Sequence, residues 1–330
     1  MRGFFCMTML PLSLASPSIS CVIPACNEAA SLTVLIPQIL NILTALSQKV
    51  EIIVVDDGSS DNTFTVMQGL CAFYPQVLCI QLSRNFGKEL ALMAGIDAAK
   101  GDVVVLMDGD GQHPPDLLPL MLSCWQDGAE VVYAVRQTRH DQSGLQVKLT
   151  ALFYKLVNLS NRVKIPVNAG DYRLMDRKVV NALKRLPERN RFMKGLYAWV
   201  GFKSVAVDYK PLPRTVGKSN FGLLGAFSLA LTGILAFSIA PLRAVTLTGL
   251  VLSIVALGYG LWVVGEYFIL GIAVPGYATI VVGMMFSSGI QLLSIGVLSE
   301  YVGRIYEEVK QRPNYLVSQQ MGVGLSHDQG

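Results

Sequence analysis

Charge is scarce in this sequence: Asp, Glu, Lys and Arg make up 15% of its 330 residues, against 52% hydrophobic residues. That is more apolar than a soluble globular chain requires, so part of it is expected to lie in a membrane. The net charge of +4 is too slight for a nucleic-acid-binding surface, and the Lys and Arg residues gather beside apolar stretches, as suits an anionic bilayer. No C-x-x-C pair occurs among Cys6, Cys21, Cys26, Cys71, Cys79 and Cys124, so reduced core or surface thiols are expected. Internal repeats and low-complexity tracts are absent as well.

Charges of either sign are missing from Ala244 to Gly265 and from Gly271 to Ser299. Each stretch can cross the ~30 Å of bilayer hydrocarbon as a helix. Lys210, Arg214, Lys218 and Arg243 precede the first and Arg304, Lys310 and Arg312 follow the second, while the linker from Tyr267 to Tyr277 has no Lys or Arg. Both ends are therefore expected to face the cytoplasm. Two spans without an intramembrane charge also give a transporter no path. Ser219 to Leu242 is a third apolar stretch, but a third crossing would put the basic tail outside. A helix lying in the interface is expected there, with Gly225, Ser228 and Thr232 on its polar side. Met1 to Ser16 reads as a loose extension or the product of an early start codon rather than a signal peptide.

What is present ahead of the spans is an alternation of short β-branched runs with helical patterns. It predicts strands at 19–23, 51–55, 77–82, 103–107 and 130–135, and helices at 28–46, 62–73, 88–99 and 115–125. This is the rhythm of an α/β sheet covered on both faces. From Leu145 to Leu186 the pattern is mostly helical, broken by a turn-like Val167-Asn-Ala-Gly-Asp171, and a short strand at 205–209 leads into a Pro/Gly-rich connector. Ligands of such sheets bind beyond the carboxyl ends of the strands. Asn27 and Glu28, Asp56 and Asp57, Arg84 and Lys88, Asp108 and Asp110, and Arg136 follow the five successive strands, so one mouth is expected to collect them.

The segment Leu106-Met-Asp-Gly-Asp-Gly-Gln-His-Pro-Pro115 ends an apolar strand with two acids one residue apart. Alternation puts Asp108 and Asp110 on one side of an extended chain, and the small Gly109 would let a bulky ligand come close. Oxygen ligands of this kind suit Mg²⁺ or Mn²⁺ carrying substrate phosphates. The same residues also suit a plain Asp/Gly-rich turn.

Ile23-Pro-Ala-Cys-Asn-Glu28, Val54-Val-Asp-Asp-Gly-Ser-Ser-Asp-Asn-Thr63, Ser83-Arg-Asn-Phe-Gly-Lys88 and Asp108-Gly-Asp-Gly-Gln-His-Pro-Pro115 together resemble the successive motifs of family 2 glycosyltransferases. Gly170-Asp-Tyr-Arg-Leu-Met-Asp-Arg177, Arg214-Thr-Val-Gly-Lys-Ser219 and Ser299-Glu-Tyr-Val-Gly-Arg-Ile-Tyr306 extend the likeness to the polyprenyl-phosphate branch. That branch includes dolichol-phosphate mannose synthases and bactoprenol glucosyltransferases. The chain differs from it in carrying Asn220 where an aromatic residue is usual, and Lys218 before Ser219 rather than after. It lacks the Gln-x-x-Arg-Trp motif of processive family 2 polymerases.

The resemblance implies a GT-A fold and inverting transfer of a hexose, glucose first, from a UDP-sugar to undecaprenyl phosphate. It implies a donor site of Pro24, Ala25, Asn27, Glu28, Asp57, Lys88, Asp108, Gly109 and Gln112, with Asp56 in support and with Mg²⁺ or Mn²⁺ on Asp108, Asp110 and Gln112. Arg136, Arg139, Arg173, Arg214 and Lys218 are candidates for gripping the acceptor phosphate, since guanidinium groups hold phosphate bidentately. Asp110, Asp171, Arg136 and Arg214 are the residues expected to serve the transfer itself, Asp171 by orienting a partner or acting as base. His113 is set aside as a turn residue. The implied organisation is a flexible extension (1–18), a GT-A domain (19–218), an interfacial helix (219–241), a two-helix hairpin (242–300) and a cytoplasmic tail (301–330). The resemblance implies a multi-pass protein of the bacterial inner membrane with its catalytic domain in the cytoplasm. The family's hairpins often assemble as tetramers.

Overall fold

The computed structural model describes residues 16–136, 169–189, 191–212, 240–270 and 276–325. Strands β1 (Ile19–Ala25), β2 (Val50–Asp56), β3 (Val77–Leu82) and β4 (Val103–Leu106) are connected through helices α1 (Ala29–Leu46), α2 (Thr63–Phe73) and α3 (Lys88–Ala98), and they pair in parallel. Every residue of β1, β2 and β4 is buried, which is why these strands are near-continuous Val/Ile runs instead of alternating ones. One core lies between the sheet and α1, α2 and α4 (Leu118–Gln126). A second lies between the sheet and α3, α5 (Arg177–Lys184) and α6 (Met193–Trp199).

The expected α/β architecture is present, with one difference at its centre. Residues 169–171, expected as part of a turn in a mostly helical region, begin strand β6 (Ala169–Asp176). This strand lies antiparallel between β4 and β5 (Val131–Arg136). Tyr172 and Leu174 enter one core and Met175 the other, a period of two that the polar Asp171 and Arg173 conceal in the sequence. Strand β7 (Ser204–Tyr209) pairs in parallel with β5.

Two long helices follow, α7 (Ala240–Leu270) and α8 (Tyr277–Val309). Helix α1 is also long and apolar enough to cross a membrane, but 44% of it is buried against the sheet, whereas none of the corresponding windows of α7 and α8 is buried. Leu261, Trp262, Phe268, Met285 and Leu292 stand exposed along them. An aliphatic surface of this size is stable only when something apolar covers it.

The stretch read from sequence only as a tail carries a last strand, β8 (Val317–Met321), antiparallel to β3. The sheet order is therefore β7-β5-β6-β4-β1-β2-β3-β8. Tyr315 donates to Asp97 at 2.8 Å, and Leu325 N–H donates to the buried Glu51 at 2.8 Å, so the chain beyond α8 is strapped back onto the domain.

Candidate functional site

The parallel strands β1, β2 and β4 all deliver their carboxyl ends to one rim, and β6 starts there because it runs the other way. Leu106 is paired with Arg173, and continuing this antiparallel register two residues forward from β4 and two back along β6 brings Asp108 opposite Asp171. The first residue of α3 completes the group. Lys88 Nζ lies 2.7 Å from Asp108 Oδ1 and 2.8 Å from Asp171 Oδ2.

Burial pulls the Lys88 ammonium down, but Asp171 and Asp108 outweigh that and hold it above the usual lysine range. Burial likewise pushes the Asp171 carboxyl up, yet Lys88, then Lys194, keep it below the usual carboxylate range. Asp171 Oδ1 is buried without a hydrogen-bond partner. Glu89, the next residue of α3, accepts the Met193 N–H at the start of α6. Its carboxyl is pushed up to about 7, first by burial and then by the charge of Asp171.

His113, set aside from the sequence as a turn residue, does lie in a bend of this loop and packs into the rim. It is buried, its Nδ1 accepts the Asp108 N–H at 3.0 Å, and its ring stacks on Tyr172 at 4.8 Å between centroids. Accepting at Nδ1 fixes the tautomer with the proton on Nε2, which lies 3.8 Å from Asp108 Oδ2. Burial holds the imidazole below its ordinary range. Tyr209 closes the aromatic group edge-on at 5.9 Å and is paired in register with Arg136, which reaches this rim from β5.

The loop of the two acids is tied down at its far end too. Gln112 N–H donates to Asp110 Oδ1 at 3.1 Å, and the Gln112 carbonyl accepts the Leu212 N–H at 3.0 Å. The connector after β7 thus passes directly beside the acids. Gly109 packs closely on β1, where a Cβ would stand 3.1 Å from the Pro24 carbonyl.

The first half of the rim is built mainly by loop clamps. Asn27, with φ at 60°, accepts the N–H groups of Ser60 and Asp61 on its Oδ1, and its own N–H donates to Ser59. Glu28 N–H donates to Thr63 Oγ1. Asp57, expected to meet the donor, is buried and accepts the N–H groups of Phe86 and Gly87, one on each oxygen, at 2.7 and 2.9 Å. Asp56 is buried and accepts from Ser59 and Gln81. Gly58 has φ at 66°, and a Cβ there would fall 2.5 Å from the Arg84 and Asn85 backbone, so only glycine fits between the two clamped loops. Cys26, exposed at the end of β1, accepts from Asn85.

Arg173 is not on an open surface. It is buried, donates to the Gly170 carbonyl and lies with its guanidinium 3.4 Å over the Tyr197 ring. Arg139, Arg214, Lys218 and the stretch 219–239 lie outside the described residues.

Among the described residues no group of three or more His, Cys, Asp or Glu side chains forms a closed metal cage. A hard cation carried by a diphosphate needs only one or two carboxylates from the protein, and Asp108 and Asp110 on their clamped loop meet that requirement.

Residues 20–184 match the model of glycosyl transferase family 2. An uncharacterized glycosyltransferase of Synechocystis is 44% identical over 92% of this chain and 96% of its own length. A prophage bactoprenol glucosyl transferase homolog of Escherichia coli K12 is 42% identical over 91% and 98%. The bactoprenol glucosyl transferase of Shigella phage SfII is 41% identical over 91% and 97%. Among solved structures, glucosyl-3-phosphoglycerate synthase from Mycobacterium tuberculosis, determined with Mn²⁺, UDP and glucosyl-3-phosphoglycerate, aligns over 67% of this chain and 78% of its own with 20% identity and a TM-score of 0.46. Because residues 20–184 match the family model and relatives at this identity match nearly end to end, the chain belongs to glycosyl transferase family 2 and is a glycosyltransferase.

Proposed function

We propose that the protein transfers a hexose, glucose first, from a UDP-sugar to undecaprenyl or another polyprenyl phosphate at the cytoplasmic face of the bacterial inner membrane, with inversion at the anomeric carbon. The observation that carries this reading is the pairing of two features. Relatives named as bactoprenol glucosyl transferases match nearly end to end, and the apolar α7–α8 pair is strapped to the sheet that holds the acid rim.

A phosphate oxygen of the acceptor attacks the sugar C1 as the bond from C1 to the diphosphate oxygen breaks. The acceptor monophosphate, with a second pKa of about 6, is largely dianionic at neutral pH and needs little help from a base. Asp171, held ionised, is a weak base in any case, so its assigned part is to hold Lys88. Lys88 and Arg136 place positive charge at the rim where phosphate charge gathers, and Arg139, Arg214 and Lys218 are proposed to grip the acceptor. Mg²⁺ or Mn²⁺ on Asp108 and Asp110, with Gln112 nearby, would neutralise charge growing on the departing UDP. His113 keeps Asp108 in place for this, and the clamped Asn27 and Asp57 loops form the nucleoside wall with Pro24, Ala25 and Glu28.

Topology supports an even number of crossings. Strands β7 and β8 share one sheet, so the number of membrane crossings between Tyr209 and Val317 must be even. Two spans and an interfacial 219–241 satisfy that parity; three spans do not. The exposed hairpin also leaves surface for the tetramer that the family resemblance suggests.

The test is to incubate membranes carrying the protein with radiolabelled UDP-glucose and undecaprenyl phosphate. Label is expected in the lipid phase only when Mg²⁺ or Mn²⁺ is present, and Asp110→Ala should abolish it. Full transfer in EDTA, or by Asp110→Ala, refutes the mechanism.

A further inference from the structure

Two thiols that the proposed reaction does not use face each other between α2 and β3. Cys71 Sγ and Cys79 Sγ are 2.7 Å apart, only about 0.7 Å more than a disulfide bond. Both are free thiols. Eight positions apart in sequence and with no C-x-x-C spacing, they meet because α2 packs directly on the strand that follows it.

We propose that Cys71 and Cys79 form a reversible redox pair, oxidised by a small hydroperoxide to a disulfide that ties α2 to β3. Cys71 is half-buried and is the thiol a small oxidant reaches first; Cys79 is fully buried. Cys79 Sγ also lies 3.4 Å from the Met67 carbonyl. The hydrogen bond between the two thiols favours the Cys71 thiolate and holds that group below the usual thiol range, while the same contact and burial push Cys79 up.

In the first step the Cys71 sulfur attacks one peroxide oxygen, the O–O bond breaks, and the departing hydroxide takes the Cys71 proton to become water. In the second, the Cys79 sulfur attacks the sulfur of the Cys71 sulfenic acid. The S–S bond forms, the S–O bond breaks, and hydroxide leaves with the Cys79 proton as a second water. Two thiols lose two electrons in all, and one hydrogen peroxide becomes two waters.

The place of the pair gives the bond something to hold. Cys79 is the register partner of Met321, and Cys71 Sγ lies 3.6 Å from the Met321 carbonyl, so the disulfide sits against the strand that returns from the apolar hairpin. At its other end α2 begins at Thr63, which receives the Glu28 N–H of the nucleoside-side loop.

The experiment uses the full chain purified in detergent, reduced, freed of reductant, treated with hydrogen peroxide, alkylated and digested with trypsin. The peptide Val50–Arg84 contains Cys71 and Cys79 and no other cysteine. It should lose the mass of two hydrogens and take up no alkyl group, and dithiothreitol should reverse both changes. Cys71→Ser should leave Cys79 open to alkylation once the protein is unfolded. The wild-type melting temperature should rise on oxidation while that of Cys71→Ser stays put, a readout that does not depend on transfer activity. Recovery of both cysteines alkylated after peroxide, or of Cys71 as a sulfinic acid beside an alkylated Cys79, overturns the proposal.

Discussion

Asp108 and Asp171 share one ammonium group: Lys88 Nζ lies 2.7 Å from the first carboxylate and 2.8 Å from the second. Asp171 lies on β6, Asp108 in the loop just beyond the neighbouring antiparallel β4, and the lysine at the start of a helix, so the contact joins three separate parts of the sequence. Without the lysine, two acids would crowd one rim, and the buried Asp171 would lose its nearest cation.

Lys88→Met should therefore lower transfer about 100-fold or more, the usual cost of removing one aimed electrostatic group from a reaction site. Its melting temperature should drop by a few degrees, because a buried carboxylate left unpaired is destabilising. Transfer kinetics and a thermal melt check both, and wild-type turnover in this variant would show the ammonium to be a bystander.

Glu89 gives the fold a pH dependence of definite sign. Its carboxyl rises from 4.5 to about 7 on folding, so the folded state holds a proton that the unfolded chain releases. The stability this contributes is complete below 4.5 and is lost as pH rises through about 7. Glu89→Gln keeps an acceptor for the Met193 N–H and removes the titration. Melting curves from pH 4.5 to 8 should slope downward for the wild type and lie flatter for the variant.

His113→Leu should leave the Asp108 N–H without its acceptor, at a cost of about 1–3 kcal/mol. His113→Asn, whose side-chain oxygen can stand near the Nδ1 position, should recover part of the lost stability and part of the lost transfer. Equal damage from both variants would mean that the ring stacked on Tyr172, and not the hydrogen bond, is what matters.

Cys26 lies exposed at the end of β1, beside the proposed nucleoside wall. Burial and the neighbouring Asp57 raise its thiol, so labelling by a maleimide should be slow and should quicken with pH. UDP should slow it further. Labelling of Cys26 at an unchanged rate under saturating UDP would place the nucleotide elsewhere.

Truncation after Arg312 removes β8 together with Tyr315 and Leu325. The edge of β3 is then bare and the buried Glu51 loses a donor, so the melting temperature should fall by about 5 °C or more and the protein should aggregate more readily. A truncated chain that melts like the full one would show the strap to be dispensable.

Much of this arrangement was legible in the residues. The β1–β4 half of the sheet was, because a strand buried on both faces must be an apolar run and a helix covering it must repeat every 3.6 residues. The Asp108 loop was legible as a motif, and the α7–α8 pair as uninterrupted apolar length. Residues 169–176 were not, because Gly170 and Asp171 carry turn chemistry and the alternation of Tyr172 and Leu174 spans too few positions to outweigh it. Asp57, expected to meet the donor, also clamps the next loop, a contact that depends on where the backbone of Phe86 and Gly87 runs. His113 and Glu89 gave only faint signals, a histidine in a turn and an acid in a first helical turn, since burial is what gives each its chemistry.

By itself the sequence determined the local order between Ile19 and Arg136: which stretches become strands or helices and which short motifs end each strand, and further on which stretches are apolar enough for lipid. Those properties depend on neighbours a few residues apart, through side-chain periodicity and backbone preference. Tertiary structure alone decided that Asp171 comes opposite Asp108, that Lys88 lies between them, that Cys71 meets Cys79 and that the C-terminal strand closes the sheet on β3. Each of these rests on a strand register or a helix packed across the sheet, where the partners are brought together by burial of surfaces distant in sequence.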